Sequence, residues 1–144
     1  MNMLNPYLNF NGNTEEVFNF YRSVFGGEFV MVSRFGDTPG CEEMPEEEKN
    51  GIMHIALQVG NNIIMGTDVP KSMKQVTAGT NISLCLSVDS REEADRVFNL
   101  LAEGGDASMP MADMFWGAYY GMLTDKFEIQ WMISYDEKYV SQLT

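Results

Sequence analysis

The fold is decided by the stretch LNPYLNFNGNTEEVFNFYRSVFGG, residues 4–27, because its pattern returns later in the chain. An alternating strand, a polar cap, an amphipathic helical stripe and a Gly-Gly stop follow one another in that order. The same order recurs in ISLCLSVDSREEADRVFNLLAEGG, residues 82–105. The offset is 78 residues both from Leu4 to Ile82 and from Gly26 to Gly104. The chain is therefore predicted to contain two copies of one supersecondary module.

The first copy begins with a predicted strand over residues 3–10. Period-two alternation puts Leu4, Leu8 and Phe10 on its apolar face and Asn5, Tyr7 and Asn9 on the other. Asn13 is the expected N-cap of the helix, with Glu16 as its capping-box partner. The Gly pair 26–27 ends the helix, and a second strand is predicted over residues 28–35.

The remaining segments complete each module as one strand, one helix and three strands. Residues 36–50 hold six acidic residues and read as a loop, either a solvated connection or an active-site lid. Residues 51–68 predict a hairpin that turns at Gly60–Asn62, and residues 69–79 a linker. The second copy has a capping box at Ser90 and Glu93, and later strands over 107–115, 118–124 and 127–134. One face of each strand set packs a helix, and the other meets solvent, a partner chain or a cavity.

Composition narrows the class of protein. The 144 residues favour a single domain over 1–144, with module one about 1–68 and module two about 80–135. A net charge of −12 makes nucleic acid and anionic membranes poor partners. No apolar run is long enough to span a membrane and no signal peptide is evident, so a cytoplasmic location is expected. The two cysteines indicate no disulfide framework, and the 12 methionines are interpreted as ordinary core filler.

Four segments carry a family resemblance: PYLNFNGN (6–13), FYRSVFGG (20–27), MHIALQVGNNIIMGTD (53–68) and FWGAYYGMLTDKFEIQW (115–131). The pattern resembles the vicinal oxygen chelate superfamily of glyoxalase I, bleomycin-resistance proteins and extradiol dioxygenases. Within that superfamily it looks like the PhnB-like branch, which is often labelled demethylubiquinone methyltransferase-like. The resemblance implies an α+β fold in which two βαβββ modules form a curved, mostly antiparallel mixed sheet around a cleft. It also implies a homodimer.

The resemblance further implies where a metal would be held in such a protein. The superfamily's four ligand positions map onto Asn5, His54, Ser83 and Gln130, of which only His54 is a strong ligand. Glu128 is predicted to point the same way as Gln130 and could join His54. Because a transition metal needs about three or four N, S or carboxylate donors, no cofactor is certain, and a divalent metal stays possible.

The polar residues of the predicted cleft face leave several chemistries open. His54, the only histidine, is a candidate general base or a histidine with only structural hydrogen bonds. Cys85 is a candidate nucleophile, but a small apolar filler is the favoured interpretation. A ligand site with aromatic walls and a few polar groups would use the following residues: Asn5, Tyr7, Asn9, Gln58, Ser83, Phe115, Trp116, Tyr120 and Gln130.

These observations favour a protein that binds a small molecule without a firmly held metal. The alternative is a metal-dependent glyoxalase-like lyase or isomerase that uses His54 and Glu128. A methyltransferase is disfavoured, because no glycine-rich loop follows a strand in a parallel α/β pattern, as a nucleoside cofactor site of that kind would need.

Overall fold

The computed structural model describes residues 3–138, which fall into two compact units that divide between Thr77 and Ala78. Each unit holds one copy of the predicted module. In the described part of the chain, no helix is long and apolar enough to cross a membrane.

The first unit is built on a four-stranded sheet. Its elements are β1 (Tyr7–Phe10), α1 (Thr14–Phe25), β2 (Phe29–Arg34), a 3-10 turn (Phe35–Asp37), α2 (Glu46–Lys49), β3 (Ile52–Val59) and β4 (Asn62–Asp68). The strand order is β1-β4-β3-β2, with β1 parallel to β4 and the other pairs antiparallel. The predicted order of one strand, one helix and three strands is confirmed, as is the hairpin between β3 and β4.

Helix α1 packs its apolar stripe on one face of this sheet. Val17, Phe18 and Tyr21 are completely buried, as the 3.6-residue spacing predicts. Phe18 lies on Gly66 at the centre of β4, where a Cβ atom would come within 2.6 Å of the ring. The absence of a side chain at residue 66 therefore lets the helix approach the sheet closely.

The start of α1 is capped in a different way from the prediction. Asn13 makes no side-chain capping bond. Instead, the buried carboxylate of Asp68 at the end of β4 accepts the N–H of Thr14 at 2.9 Å and the N–H of Ile52 at 2.8 Å. One side chain thus satisfies the first amide of the helix and the first amide of β3, which ties three elements together.

The second unit repeats the arrangement with β5 (Leu84–Ser87), α3 (Arg91–Ala102), β6 (Asp106–Asp113), β7 (Tyr119–Thr124) and β8 (Gln130–Tyr135). The strand order is β5-β8-β7-β6, with β5 parallel to β8. Ser90 caps α3 by accepting the N–H of Glu93 at 3.1 Å, as predicted, whereas the Glu93 carboxylate pairs with Arg96. Both units are α+β with mixed sheets, which confirms the predicted fold class.

Several predicted boundaries are wrong for physical reasons. Strand β1 begins at Tyr7 and not at residue 3, so Leu4 is 90% exposed instead of packed. Residues 36–50 are not an unstructured loop, since they contain a 3-10 turn and the short helix α2. The turn before β8 runs on to Ile129, because the Asp125 carboxylate accepts the N–H groups of Phe127 and Ile129.

The interpretation of methionine as core filler is also wrong. No methionine among residues 3–138 is in the buried class, and the core consists of aliphatic and aromatic side chains. The methionines lie on partly exposed surfaces of the sheets and loops.

Candidate functional site

The face of each sheet that carries no helix holds most of the predicted site residues. We call it the helix-free face of that unit. In the first unit, strand register places the following residues on it: Tyr7, Asn9, Met31, Ser33, His54, Ala56, Gln58, Ile63, Met65 and Thr67. The intervening residues Ile55, Leu57 and Ile64 are buried on the other side. The register therefore brings four of the predicted site residues, Tyr7, Asn9, His54 and Gln58, to one face of the sheet.

Tyr7 and His54 are in direct contact on this face. The Tyr7 hydroxyl lies 3.1 Å from Nδ1 of His54, and the ring centroids are 5.6 Å apart. Strand β4 lies between β1 and β3, so the tyrosine side chain reaches across it to the imidazole. When Tyr7 donates, His54 carries its proton on Nε2; when Nδ1–H donates to the phenol oxygen, Nε2 is free to accept a proton. Nε2 has no hydrogen-bond partner within residues 3–138, so the pair can offer either a donor or an acceptor to a ligand.

The other predicted polar residues of the first unit are less closely associated with this pair. Asn9 is exposed and pairs in register with Thr67. Gln58 is exposed and donates to the carbonyl of Gly60 at 3.3 Å within its own hairpin. Asn5 precedes β1, and its buried Oδ1 has no partner among the described residues.

In the second unit, Gln130 is the first residue of β8, and its side chain donates to the carbonyl of Ile82 at 2.7 Å. Ser83 precedes β5 and is half-buried. Cys85 lies within β5 on the helix-free face, and desolvation raises the pKa of its thiol. A raised pKa leaves little thiolate at neutral pH, which disfavours Cys85 as a nucleophile.

Three of the predicted aromatic residues do form a cluster. The rings of Phe115 and Trp116 meet edge to face with centroids 5.1 Å apart, and Trp116 meets Tyr120 in the same way at 5.8 Å. Phe115 is 98% exposed. Desolvation raises the pKa of the Tyr120 phenol, so it is neutral and available as a hydrogen-bond donor. Tyr119 faces elsewhere, since its hydroxyl donates to Asp95 and its ring lies under the Arg91 guanidinium.

The side chains around His54 do not supply the ligand set that the resemblance implies for a metal. Within residues 3–138, no group of three or more His, Cys, Asp or Glu side chains could hold an ion. His54 is surrounded on its own face by hydroxyl, amide and thioether groups, and its Nδ1 is engaged by Tyr7. Glu128 lies in the turn before β8 with φ 71°, and not on the strand where alternation with Gln130 was expected. These residues do not fit a firmly held divalent transition metal.

A separate surface depression of about 550 Å³ lies beside α2 and is lined by Gly40, Glu43, Met44, Pro45, Glu47, Glu48, Lys71 and Ser72. The Glu48 carboxylate accepts the N–H of Lys71 at 2.7 Å, which fastens α2 to the segment after β4. The depression includes none of the predicted site residues.

The feature that sequence reasoning missed is a row of methionines on each helix-free face. In the first unit, the register aligns Tyr7, Met65, Ala56 and Met31 across the four strands. In the second unit, the corresponding row is Cys85, Met132, Met122 and Met109. Met31 and Met109 are separated by the same 78-residue offset as the two modules, and that repeat was the available signal.

Comparison with known proteins places this arrangement in a family. The profile of the family described as 3-demethylubiquinone-9 3-methyltransferase matches residues 2–134. Protein YjdN of Escherichia coli (strain K12) is 30% identical over 139 residues, which are 91% of this chain and 93% of YjdN.

Solved structures give the same result. Protein PA1353 from Pseudomonas aeruginosa is 39% identical with a TM-score of 0.83, over 94% of this chain and 98% of that one. The Bacillus cereus PhnB protein, described as a putative 3-demethylubiquinone-9 3-methyltransferase, is 27% identical with a TM-score of 0.76, over 92% and 98% of the two chains. A glyoxalase/bleomycin resistance protein/dioxygenase family enzyme from Burkholderia phytofirmans PsJN shares the fold, with 18% identity and a TM-score of 0.60 over 90% and 95% of the two chains.

Proposed function

The chain belongs to the 3-demethylubiquinone-9 3-methyltransferase family, the PhnB-like branch of the glyoxalase, bleomycin-resistance and dioxygenase superfamily, and on that premise we propose that it binds a small organic molecule. The ligand contacts the helix-free face of the first unit, with Tyr7 and His54 as its polar partners. The observation that carries the proposal is the 3.1 Å contact between the Tyr7 hydroxyl and Nδ1 of His54. Nε2 of His54 has no hydrogen-bond partner within residues 3–138.

The chemistry of the face suits a ligand with both apolar and polar groups. Met65 supplies apolar surface beside the Tyr7–His54 pair, and Ser33 supplies a hydroxyl. The Thr67 hydroxyl donates to the carbonyl of Met53 at 2.7 Å and keeps only acceptor capacity for a ligand. Ligand sites commonly combine an apolar wall with a few placed polar groups. The net charge of −12 favours a cationic ligand, because it raises the local concentration of positively charged molecules.

The methyltransferase activity in the family description is not part of our proposal. Each sheet among the described residues has only one parallel strand pair, and the other pairs are antiparallel. A nucleoside cofactor of the doubly wound type binds at the carboxyl edge of a mostly parallel sheet, after a glycine-rich loop. A fold shared with enzymes of several activities does not assign a reaction by itself.

The test uses metal-free bleomycin as a cationic probe, since bleomycin resistance is named for relatives that share the fold. Thermal unfolding and calorimetric titration would compare the wild type with Tyr7→Phe and His54→Ala. A ligand at about 100 times its dissociation constant adds roughly 2.7 kcal/mol of stability. Tyr7→Phe removes one hydrogen bond and is expected to weaken binding about 2- to 10-fold. His54→Ala is expected to weaken it further.

The matched control is Asn19→Ala, at an exposed position on helix α1 and away from the helix-free face. Equal affinity of all four proteins for the probe would contradict the assignment of Tyr7 and His54. If neither bleomycin nor any member of a panel of cationic heteroaromatic compounds binds, the binding function itself is refuted.

The alternative function is a metal-dependent glyoxalase-like lyase or isomerase, favoured by the partly exposed His54, whose Nε2 has no hydrogen-bond partner in the part of the chain that the structure describes. This function requires that the protein bind one of Ni²⁺, Zn²⁺, Mn²⁺ or Fe²⁺ in a nearly one-to-one ratio. The ion should stabilise the wild type and should stabilise neither His54→Ala nor Glu128→Gln. The same thermal unfolding assay, run with each ion in turn, separates the two functions. Stabilisation by an ion that both variants abolish would replace our proposal with the enzyme.

We also propose that the protein forms a homodimer, as the resemblance implies. Large apolar side chains are exposed at the start of the chain and on the edge strand β2, including Leu4, Val30 and Val32. Exposed apolar side chains on an unpaired edge strand are typical of interfaces. Light scattering coupled to size exclusion should give twice the monomer mass of 16.3 kDa; a monomer at micromolar concentration would contradict the proposal.

A further inference from the structure

We use the name sulfur row for the aligned residues Cys85, Met132, Met122 and Met109 of the second unit. The sulfur row has a chemistry that the first unit lacks. Cys85 on β5 is the register partner of Met132 on β8, Met132 is the partner of Met122 on β7, and Met122 is the partner of Met109 on β6. Four sulfur-bearing side chains therefore lie side by side on one face of the sheet. Neighbouring strands are about 4.8 Å apart, so each sulfur is within reach of the next.

These side chains are accessible and adaptable. Cys85 and Met109 are exposed, while Met122 and Met132 are partly exposed. Methionine has three rotatable bonds and a polarisable thioether, so adjacent methionines can turn their sulfur atoms toward a common point. The buried residues of these strands, Leu123, Trp131 and Ile133, face α3 and are not involved.

From this alignment we propose that Cys85, Met132 and Met122 form a binding site for a soft monovalent metal ion, Cu⁺ or its analogue Ag⁺. Thiolate and thioether ligands select Cu⁺ over the hard divalent ions, which prefer oxygen. The Cys85 thiol releases its proton to water as the metal–sulfur bond forms, and the ion keeps its +1 charge throughout. Met109 flanks the site as a fourth sulfur on the edge strand.

The residues next to the row support a sulfur-only site. The adjacent positions on the same face hold Ser87, Ser134 and Tyr120 on one side and Thr124 and Gln130 on the other. None of these side chains is an imidazole or a carboxylate. The register partner of Thr124 on β6 is Asp106, the one carboxylate beside the row, and within residues 3–138 no group of three or more His, Cys, Asp or Glu side chains could hold an ion. The net charge of −12 favours accumulation of any cation near the protein.

The first unit provides an internal comparison. Its corresponding row has Tyr7 in place of Cys85 and Ala56 in place of Met122, which leaves Met65 and Met31 separated by a residue without a donor. The thiolate and the adjacent pair of thioethers occur together only in the second unit among residues 3–138. One equivalent of Cu⁺ per chain is therefore expected, and not two.

The experiment measures Cu⁺ affinity under anaerobic conditions by competition with bathocuproine disulfonate. The variants are Cys85→Ser, Met132→Leu and Met122→Leu. The two leucine variants conserve volume and are expected to fold, which circular dichroism checks. Each of the three is expected to weaken binding at least about tenfold, since even outer partners of a metal typically contribute 10- to 100-fold. Cys41→Ser and Met73→Leu are matched controls outside the second unit, and neither should change the affinity.

Titration with Ag⁺ gives an independent measurement on the folded protein. With ¹³C-methyl methionine labelling, the signals of Met122 and Met132 should shift in a one-to-one titration while that of Met73 stays in place. Three results would overturn the proposal: no competition with the chelator, binding that is lost in Cys41→Ser or His54→Ala, or binding that Cys85→Ser abolishes but both leucine variants leave unchanged. The last result would identify an ordinary surface thiolate.

Discussion

The first unit depends on the buried carboxylate of Asp68, and removal of that carboxylate gives a quantitative prediction. Asp68 is 7% exposed and accepts two buried N–H groups, from Thr14 at 2.9 Å and from Ile52 at 2.8 Å. In Asp68→Ala both amides lose their partner in a place that water reaches poorly. An unsatisfied buried donor costs about 1–3 kcal/mol, so the substitution is expected to cost roughly 2–6 kcal/mol of unfolding free energy.

The variant Asp68→Asn separates the two contacts. The amide keeps one carbonyl oxygen but brings an NH₂ group against the second N–H donor, so one hydrogen bond survives and the other is lost. We expect a cost of about 1–3 kcal/mol, clearly smaller than that of Asp68→Ala. Asp106→Ala, on the exposed face of edge strand β6, is the matched control and should stay within about 0.5 kcal/mol of the wild type.

Urea denaturation followed by circular dichroism measures these differences as shifts in midpoint at a constant slope. Native-state hydrogen exchange would show where in the structure the stability is lost, because the amides of Thr14 and Ile52 should lose protection first. If Asp68→Asn and Asp68→Ala both stay within about 0.5 kcal/mol of the control, the capping role of Asp68 is refuted.

Three further predictions concern packing, ion pairing and thiol chemistry. Gly66→Ala should lower the free energy of unfolding, measured by urea denaturation, by about 1–3 kcal/mol, because the added Cβ overlaps the Phe18 ring. A smaller cost in a Phe18→Leu background would show that the overlap is the cause. The hydrogen bond from Arg34 lowers the pKa of Glu15 below its ordinary value, so this pair stabilises the fold at pH values above the unfolded-state pKa of Glu15. That stability is lost as the pH falls through the folded-state pKa; Glu15→Gln should flatten this loss, and an unchanged acid limb would contradict the prediction. Desolvation raises the pKa of the Cys85 thiol above its ordinary value, so its alkylation by iodoacetamide should keep accelerating as the pH rises above 7, whereas a plateau near pH 7 would show a reactive thiolate.

The architecture was predictable because the signal is repeated and local. Both helices have an apolar stripe at helical spacing, and both are followed by a Gly pair. The Ser90 cap of α3 lies three residues from the amide that it binds, so sequence spacing was sufficient to find it. The Asp68 cap of α1 is 54 residues away from Thr14, and no local pattern predicts such a contact. Local rules therefore described one helix start correctly and the other wrongly.

The contact between Tyr7 and His54 shows the same limit at the site. Alternation assigned each residue to one face of its own strand, the resemblance implied that both faces line the cleft, and the register brings the two residues to one face of the sheet. Their contact depends on the strand order β1-β4-β3-β2, in which β4 separates the strands that carry them. Strand order is set by long-range pairing, so the sequence predicted the shared face but not the hydrogen bond across β4. The predicted direction of Glu128 was wrong for a related reason. The Asp125 carboxylate accepts the N–H of Ile129, so the turn extends into the segment that was predicted to be a strand.

The methionines show how a duplicated scaffold acquires two chemistries. The cores of both units consist of aliphatic and aromatic side chains, and methionines on the two helix-free faces include pairs at corresponding positions, such as Met65 with Met132 and Met31 with Met109. Two positions of the row then differ between the copies. On the first face Tyr7 brings a hydroxyl to His54 and Ala56 interrupts the row of sulfur atoms. On the second face Cys85 and Met122 make that row continuous. Exchange of Ala56 for Met and Met122 for Ala should therefore alter the Cu⁺ site of the second unit and leave the Tyr7–His54 contact in place. Loss of bleomycin binding together with Cu⁺ binding in Met122→Ala alone would show that the two faces do not act separately.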